Sequence, residues 1–161
     1  MSDTLARSGT LNGGTHLLPI RVYYEDTDAA GLVYYVNYLK FAERGRTEML
    51  RSMGFEQERM RQELGFVFVV RQCTVDYRAA ARLDDDLLVV TRLVDAGAAT
   101  LDVVQEVRRR DAVLAALTFR VAGIGSDGRP TRLPAELRTA IQSLAADAPA
   151  PQSPSRLQQH G

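Results

Sequence analysis

The chain has 161 residues, 45% of them hydrophobic and 25% charged, which is enough apolar material for one globular core and too much for a disordered chain. Twenty Lys and Arg balance twenty Asp and Glu, so no basic field invites nucleic acid. One cysteine excludes an intramolecular disulfide framework, and no Cys/His cluster has zinc-ligand spacing, so neither a metal nor a cofactor is expected.

Residues 1–17 are Gly-bearing and polar, and residues 146–161 are small, polar and Pro-bearing. They are expected to be a flexible leader and a flexible tail around one domain at 18–145. The leader lacks an apolar stretch followed by a cleavage site, and nowhere do about eighteen apolar residues run together. Neither export nor a membrane span is indicated, and a reducing cytoplasm fits. The two histidines, His16 and His160, fall in the leader and the tail. A folded body without histidine has no base for a Ser-His or Cys-His mechanism, which turns attention to carboxylates.

In chain order, residues 20–25 alternate as a strand, with Ile20, Val22 and Tyr24 on one face. A loop follows in which Glu25, Asp26 and Asp28 place three carboxylates within four residues, closed by Gly31. From Tyr35 the period becomes helical: Tyr35, Tyr38, Leu39, Ala42, Met49, Leu50 and Met53 form an apolar stripe. Asn37, Lys40, Glu43 and Arg44 fall largely opposite, and Gly54 is a suitable stop. Gly45 lies on the stripe in mid-helix, at a cost of roughly 1 kcal/mol in propensity relative to Ala, which predicts close packing against a sheet.

A short helix is predicted at 56–63, then strands at 66–76, 86–95, 100–109 and 113–124, the last three joined as an antiparallel meander. Pro134 starts a terminal helix reaching about residue 144. This order predicts an α+β domain, a curved antiparallel sheet wrapped around the long helix. Its open edges favour pairing between subunits, so a homo-oligomer is expected.

The acidic loop has three readings. Asp26-Thr27-Asp28 is nominally a D-x-D of phosphoryl-transfer type, but a single lysine and an antiparallel meander argue against the parallel sheet such chemistry uses. Asp and Thr also make turns and helix caps, a purely structural role. The third reading places a carboxylate beside the free N–H groups of a helix N-terminus, where a substrate carbonyl is polarised.

The stretch VYYEDTDAAGLVYYVNYLKFAERGRTEML resembles the signature of the hotdog-fold acyl-CoA thioesterases, in the group of 4-hydroxybenzoyl-CoA thioesterase and the Tol-Pal-associated thioesterases. FVVRQCTVDYRAAARLDDDL is similar to the same group, and the likeness spans roughly residues 20–124. It implies a five-stranded antiparallel sheet around a central helix, homodimers or homotetramers, and hydrolysis of acyl-CoA. It also implies a Tol-Pal association in the cell. The second Asp of the family's D-x-D loop matches Asp28 as nucleophile or general base, and the family's oxyanion N–H matches Tyr35. Gly31, Asn37, Tyr38 and Arg71 are the implied substrate-binding positions, with Arg71, Arg78 and Arg82 as candidates for coenzyme A phosphates or plain solvated arginines. Tyr35-x-Asn37-Tyr38 is similar to the hydroxybenzoyl-CoA enzyme and residues 25–28 to the Tol-Pal-associated group, so the acyl group stays open. Glu43 is a rival acid or a salt-bridged helix residue, and Cys73 in its alternating strand is expected to be buried. A hotdog scaffold that binds acyl thioesters or a protein without turnover is the alternative function.

Overall fold

The computed structural model describes residues 7–147. Six strands form one antiparallel sheet: β1 (Thr10–Asn12), β2 (Thr15–Arg21), β3 (Val67–Tyr77), β4 (Asp86–Ala96), β5 (Thr100–Arg109) and β6 (Ala112–Ile124), in spatial order β1-β2-β4-β5-β6-β3. Helices α1 (Asn37–Ser52), α2 (Gln57–Leu64) and α3 (Ala135–Asp147) accompany it. The α+β layout and the β4-β5-β6 meander are as predicted. The sheet has six strands rather than five because β1 folds back on β2 through a turn at Gly13 and Gly14, both with positive φ.

The strand predicted at 20–25, observed as β2, departs most from expectation. It begins at Thr15, inside the expected leader, and ends at Arg21, where the pairing of Arg21 with Asp86 gives way to a bond from the Val22 N–H to the Asp85 carbonyl. Residues 24–26 form a 3-10 turn instead of continuing the strand, because the Asp26 carboxylate folds back to accept the Tyr23 N–H at 2.9 Å.

His16 therefore belongs to the folded body and is fully buried, opposite Thr91 on β4. Its Nε2 lies 2.6 Å from the Ser8 carbonyl and 3.4 Å from Ser52 Oγ at the end of α1. That is some 15 residues, or about 22 Å, along the helix from Asn37, so His16 does not supply a base to the loop at the other end.

α1 lies on the sheet with Tyr38, Phe41, Ala42, Met49 and Leu50 buried, while Met53 is half-buried. Two expectations reverse here: Tyr35 precedes the helix and is exposed, and Asn37, placed on the polar face by periodicity, is buried. Gly45 sits against β4 and β5. A Cβ there would stand 2.7 Å from Val89 Cγ1, 2.9 Å from Thr91 Oγ1 and 3.0 Å from Gln105 Nε2. Gln105 Nε2 donates to the Ala42 carbonyl and to Thr91 Oγ1, and its Oε1 accepts from Arg46 Nη1, so a buried polar chain joins helix to sheet. Arg46 also stacks 4.0 Å above the Phe119 ring.

β3 is the edge strand beside β6 and is mostly exposed along its length. Cys73, expected to be buried, is exposed there. Partial burial pushes its thiol upward despite the nearby Arg46, which is the opposite of an activated nucleophile.

Two outcomes follow for stability. Gly45→Ala gains helix propensity of about 1 kcal/mol but drives a methyl group into two stiff β-branched side chains, so urea denaturation should show a net loss of about 1–3 kcal/mol. Burial lowers the His16 pKa below its ordinary 6.5, with the Ser8 carbonyl and Glu48 opposing the shift. The native state thus takes up fewer protons at His16 than the unfolded chain. Stability from this site is present above pH 6.5 and is lost as pH falls, with a slope of up to about 1.4 kcal/mol per pH unit. His16→Gln should flatten the difference in stability between pH 7 and pH 5 relative to wild type.

Candidate active site

The acidic loop closes on itself as a small antiparallel ladder. The Asp28 N–H donates to the Leu32 carbonyl at 2.8 Å, Thr27 bridges Val33, and the Tyr34 N–H donates to the Asp26 carbonyl at 3.0 Å. Gly31 makes the reversal with φ +77 and donates its N–H to the Asp28 carbonyl. A Cβ at Gly31 would meet nothing, so its backbone conformation, rather than space, calls for glycine.

The three acids have separate fates in this ladder. Asp26 is buried: one carboxylate oxygen accepts the Tyr23 N–H and the other accepts Asn37 Nδ2 at 2.9 Å. Glu25 is exposed. Asp28 is exposed, and its Oδ1 accepts the Ala30 N–H at 2.9 Å and the Leu32 N–H at 3.2 Å. Two N–H bonds on one oxygen fix the carboxylate while leaving Oδ2 without a protein partner among the described residues.

Six residues past Gly31, the chain enters α1 without a capping side chain. Val36 is the N-cap but is already helical, at φ −66 and ψ −26, and no acidic residue occupies the first turn. The Asn37 N–H donates to the Tyr34 carbonyl and the Leu39 N–H to the Val36 carbonyl, which tightens the start of the helix. The Tyr35 N–H donates to no group among the described residues. An uncapped helix start with an unused N–H, seven residues along the chain from a fixed carboxylate, is an arrangement that favours developing negative charge on a bound carbonyl oxygen.

A second segment braces the first. Between β3 and β4, the Ala81 carbonyl accepts the Val33 N–H, the Leu83 N–H donates to the Gly31 carbonyl, and Leu32 bridges Arg82. Tyr38 is buried, and its hydroxyl accepts the Ala81 N–H at 2.9 Å. Tyr77, at the end of β3, donates its hydroxyl to the Tyr35 carbonyl at 3.0 Å. Its ring meets Tyr35 and Tyr38 edge-on, with centroids 6.2 and 5.6 Å away.

The loop ladder joins Asp28 to Gly31 and Leu32, and internal hydrogen bonds tie Asn37 to Asp26 and Tyr38 to Ala81 at the start of α1, just after Tyr35. Arg71 is not part of this group; it is exposed in the middle of β3. Arg78 pairs with Asp76 at 3.0 Å, and Glu43 is exposed with no ion pair among the described residues. Asp26 and Tyr77 were missed as organising residues. Asp26 looked equivalent to its neighbours in a run of acids, and Tyr77 is 42 residues from the carbonyl it holds. An apolar cavity lined by Arg46, Met49, Leu50, Phe68, Leu93 and Val121 was also unforeseen. It lies under the C-terminal half of α1, about 15 Å along the helix from Asn37.

Fold and loop together define a hotdog thioesterase domain. The family model of the thioesterase-like superfamily matches residues 22–141, and the chain belongs to that superfamily. Among its relatives is the acyl-CoA thioesterase YbgC of Haemophilus influenzae, 41% identical over 127 residues that cover 78% of this chain and 93% of that protein. A probable thioesterase from Bartonella henselae superposes with a TM-score of 0.72 at 33% identity, covering 74% of this chain and 99% of the other. A 1,4-dihydroxy-2-naphthoyl-CoA thioesterase from Synechocystis superposes with a TM-score of 0.76 at 26% identity, covering 84% and 100%.

The position of Asp26 generates one expectation. Asp26→Ala leaves the Tyr23 N–H and the buried Asn37 amide without their acceptor, which should cost about 2–4 kcal/mol in chemical denaturation. Glu25→Ala, on the exposed neighbour, should stay within about 0.5 kcal/mol of wild type.

Proposed function

We propose that this chain hydrolyses acyl-CoA thioesters to a free acid and coenzyme A, with Asp28 as nucleophile or general base and the Tyr35 N–H polarising the carbonyl. The observation that carries this reading is the pairing of a fixed, accessible Asp28 carboxylate with the uncapped start of α1. Membership of the thioesterase-like superfamily and the activities named for the relatives support it.

In the nucleophilic route, Asp28 Oδ2 attacks the thioester carbon, and the negative charge moves onto the carbonyl oxygen facing the Tyr35 N–H. Collapse expels the coenzyme A thiolate and leaves a mixed anhydride, which water cleaves to the acid and the regenerated carboxylate. In the general-base route, Asp28 takes a proton from water as it attacks the same carbon, and the proton passes to the departing thiolate. Both routes need the same oxyanion donor, worth about 2.7–4 kcal/mol in comparable sites.

Gly31, Asn37 and Tyr38 serve this site by shaping it: Gly31 through the turn, Asn37 through Asp26, and Tyr38 through Ala81. Arg71, exposed on β3 and without an ion pair among the described residues, is available to a coenzyme A phosphate. The free β3 edge, with Val69 and Val70 exposed, supports assembly into a homodimer or homotetramer.

Asp28→Asn keeps an Oδ1 acceptor for Ala30 and Leu32, so the loop should fold as in wild type. Thiol release from a panel of short, long and aromatic acyl-CoAs should fall at least about a hundredfold in this variant. Near-full turnover by the purified variant abandons the role of Asp28, and saturable binding by wild type with no release returns the protein to the non-catalytic scaffold.

A further inference from the structure

We infer that Tyr77 is a positioning residue for hydrolysis: its hydroxyl, bonded to the Tyr35 carbonyl, holds the turn that presents the oxyanion N–H. This rests on the reading of Asp28 and Tyr35 given above.

The turn at residues 34–37 has few fixed points. The Tyr34 N–H is held by the Asp26 carbonyl, and the Tyr34 carbonyl by the Asn37 N–H. Those bonds hold the two peptide groups before Tyr35, but the one after it is passed over by the helix ladder: the Leu39 N–H, the regular partner of the Tyr35 carbonyl four residues on, bonds to the Val36 carbonyl instead. The Tyr77 hydroxyl is the group that takes the place of that missing partner, at 3.0 Å. A hydrogen bond at that carbonyl sets the rotation of the peptide between Tyr35 and Val36, and so limits the backbone freedom of the residue whose N–H faces the substrate.

Tyr77 is itself well placed to act as a stop. It follows Cys73 and Val75 on the face of β3 that pairs with Phe119, Leu117 and Ala115 of β6, the face over which Arg46 of α1 reaches to Phe119. Its backbone is continuous with the sheet up to the bonds that the Arg78 and Ala79 N–H groups give to the Leu114 carbonyl. Its ring is wedged edge-on between Tyr35 and Tyr38. The hydroxyl therefore ties the turn before α1 to a strand hydrogen-bonded along its length to β6. Burial pushes the Tyr77 phenol upward, so the group keeps its proton, and its capacity to donate, across the neutral range.

Tyr77→Phe removes the hydroxyl and keeps the ring. With an acyl-CoA that wild type turns over, kcat should fall about ten- to a hundredfold with KM changed less than twofold, as expected when a donor shifts by a fraction of an ångström. Affinity for the matching S-alkyl-CoA thioether, which has no carbonyl oxygen, should stay within twofold of wild type, as should the midpoint of urea unfolding within experimental error. Asp28→Asn, run alongside, separates the two ideas. Loss of turnover in Asp28→Asn with an unchanged kcat in Tyr77→Phe overturns the role of Tyr77 and leaves the hydrolase reading intact. A parallel fall in kcat and thioether affinity also overturns it, since that is the signature of general packing. No turnover by wild type on any acyl-CoA overturns the hydrolase reading and the positioning role with it.

Discussion

The whole arrangement depends on how closely α1 approaches the sheet at Gly45. Any side chain there meets Val89 and Thr91, residues of a central strand that cannot yield, so the absence of a Cβ sets the height of the helix above β4 and β5. At that height the Gln105 amide reaches both the Ala42 carbonyl and Thr91, and Arg46 reaches Gln105 and the Phe119 ring. Burying so many polar groups is unfavourable unless each is paired, and this chain of bonds pairs the helix backbone with the sheet itself. The helix is then held in register along its axis as well as in height.

Because α1 is fixed in this way, its first turn has a defined place. Asn37 meets the buried Asp26, and Tyr38 meets the Ala81 N–H, so the loop before the helix and the segment before β4 are both anchored to the same turn. The cost of burying the Asp26 carboxylate is offset by its two donors, one from backbone and one from side chain. Asp28, two residues on, is left at the exposed tip with its carboxylate held by backbone N–H groups alone. Aspartates two residues apart thus divide into a buried member and an exposed one, and the division follows from the 3-10 turn that folds Asp26 back onto Tyr23 and Asn37 while Asp28 stays in the reversal closed by Gly31.

Much of this was legible in the residues. The alternating runs after residue 66 became β3 to β6 within two residues of their predicted bounds, because the turns between them carry strong local signals. The mid-helix glycine announced the close approach, since nothing local recommends glycine there. The N-terminal strand was misplaced for an equally physical reason. Its true partners are on β4, about seventy residues away, and that pairing drew in Thr15, His16 and Leu17, while Asp26 turned the chain away from the strand its pattern suggested. Cys73 was misjudged because alternation does not reveal that β3 lies at an edge with little covering it.

The amino-acid sequence by itself determined the element types, the acidic loop ahead of an amphipathic helix, and the family likeness that set Asp28 and Tyr35 apart. Those properties are local: periodicity, turn chemistry and a contiguous motif survive without knowledge of what touches what. Tertiary structure alone decided that His16 is buried, that Asp26 and Asn37 are partners, and that Tyr77 of β3 bonds to the Tyr35 carbonyl. Each depends on where a strand or helix comes to rest against distant chain, which is settled by packing the whole core rather than by any one segment.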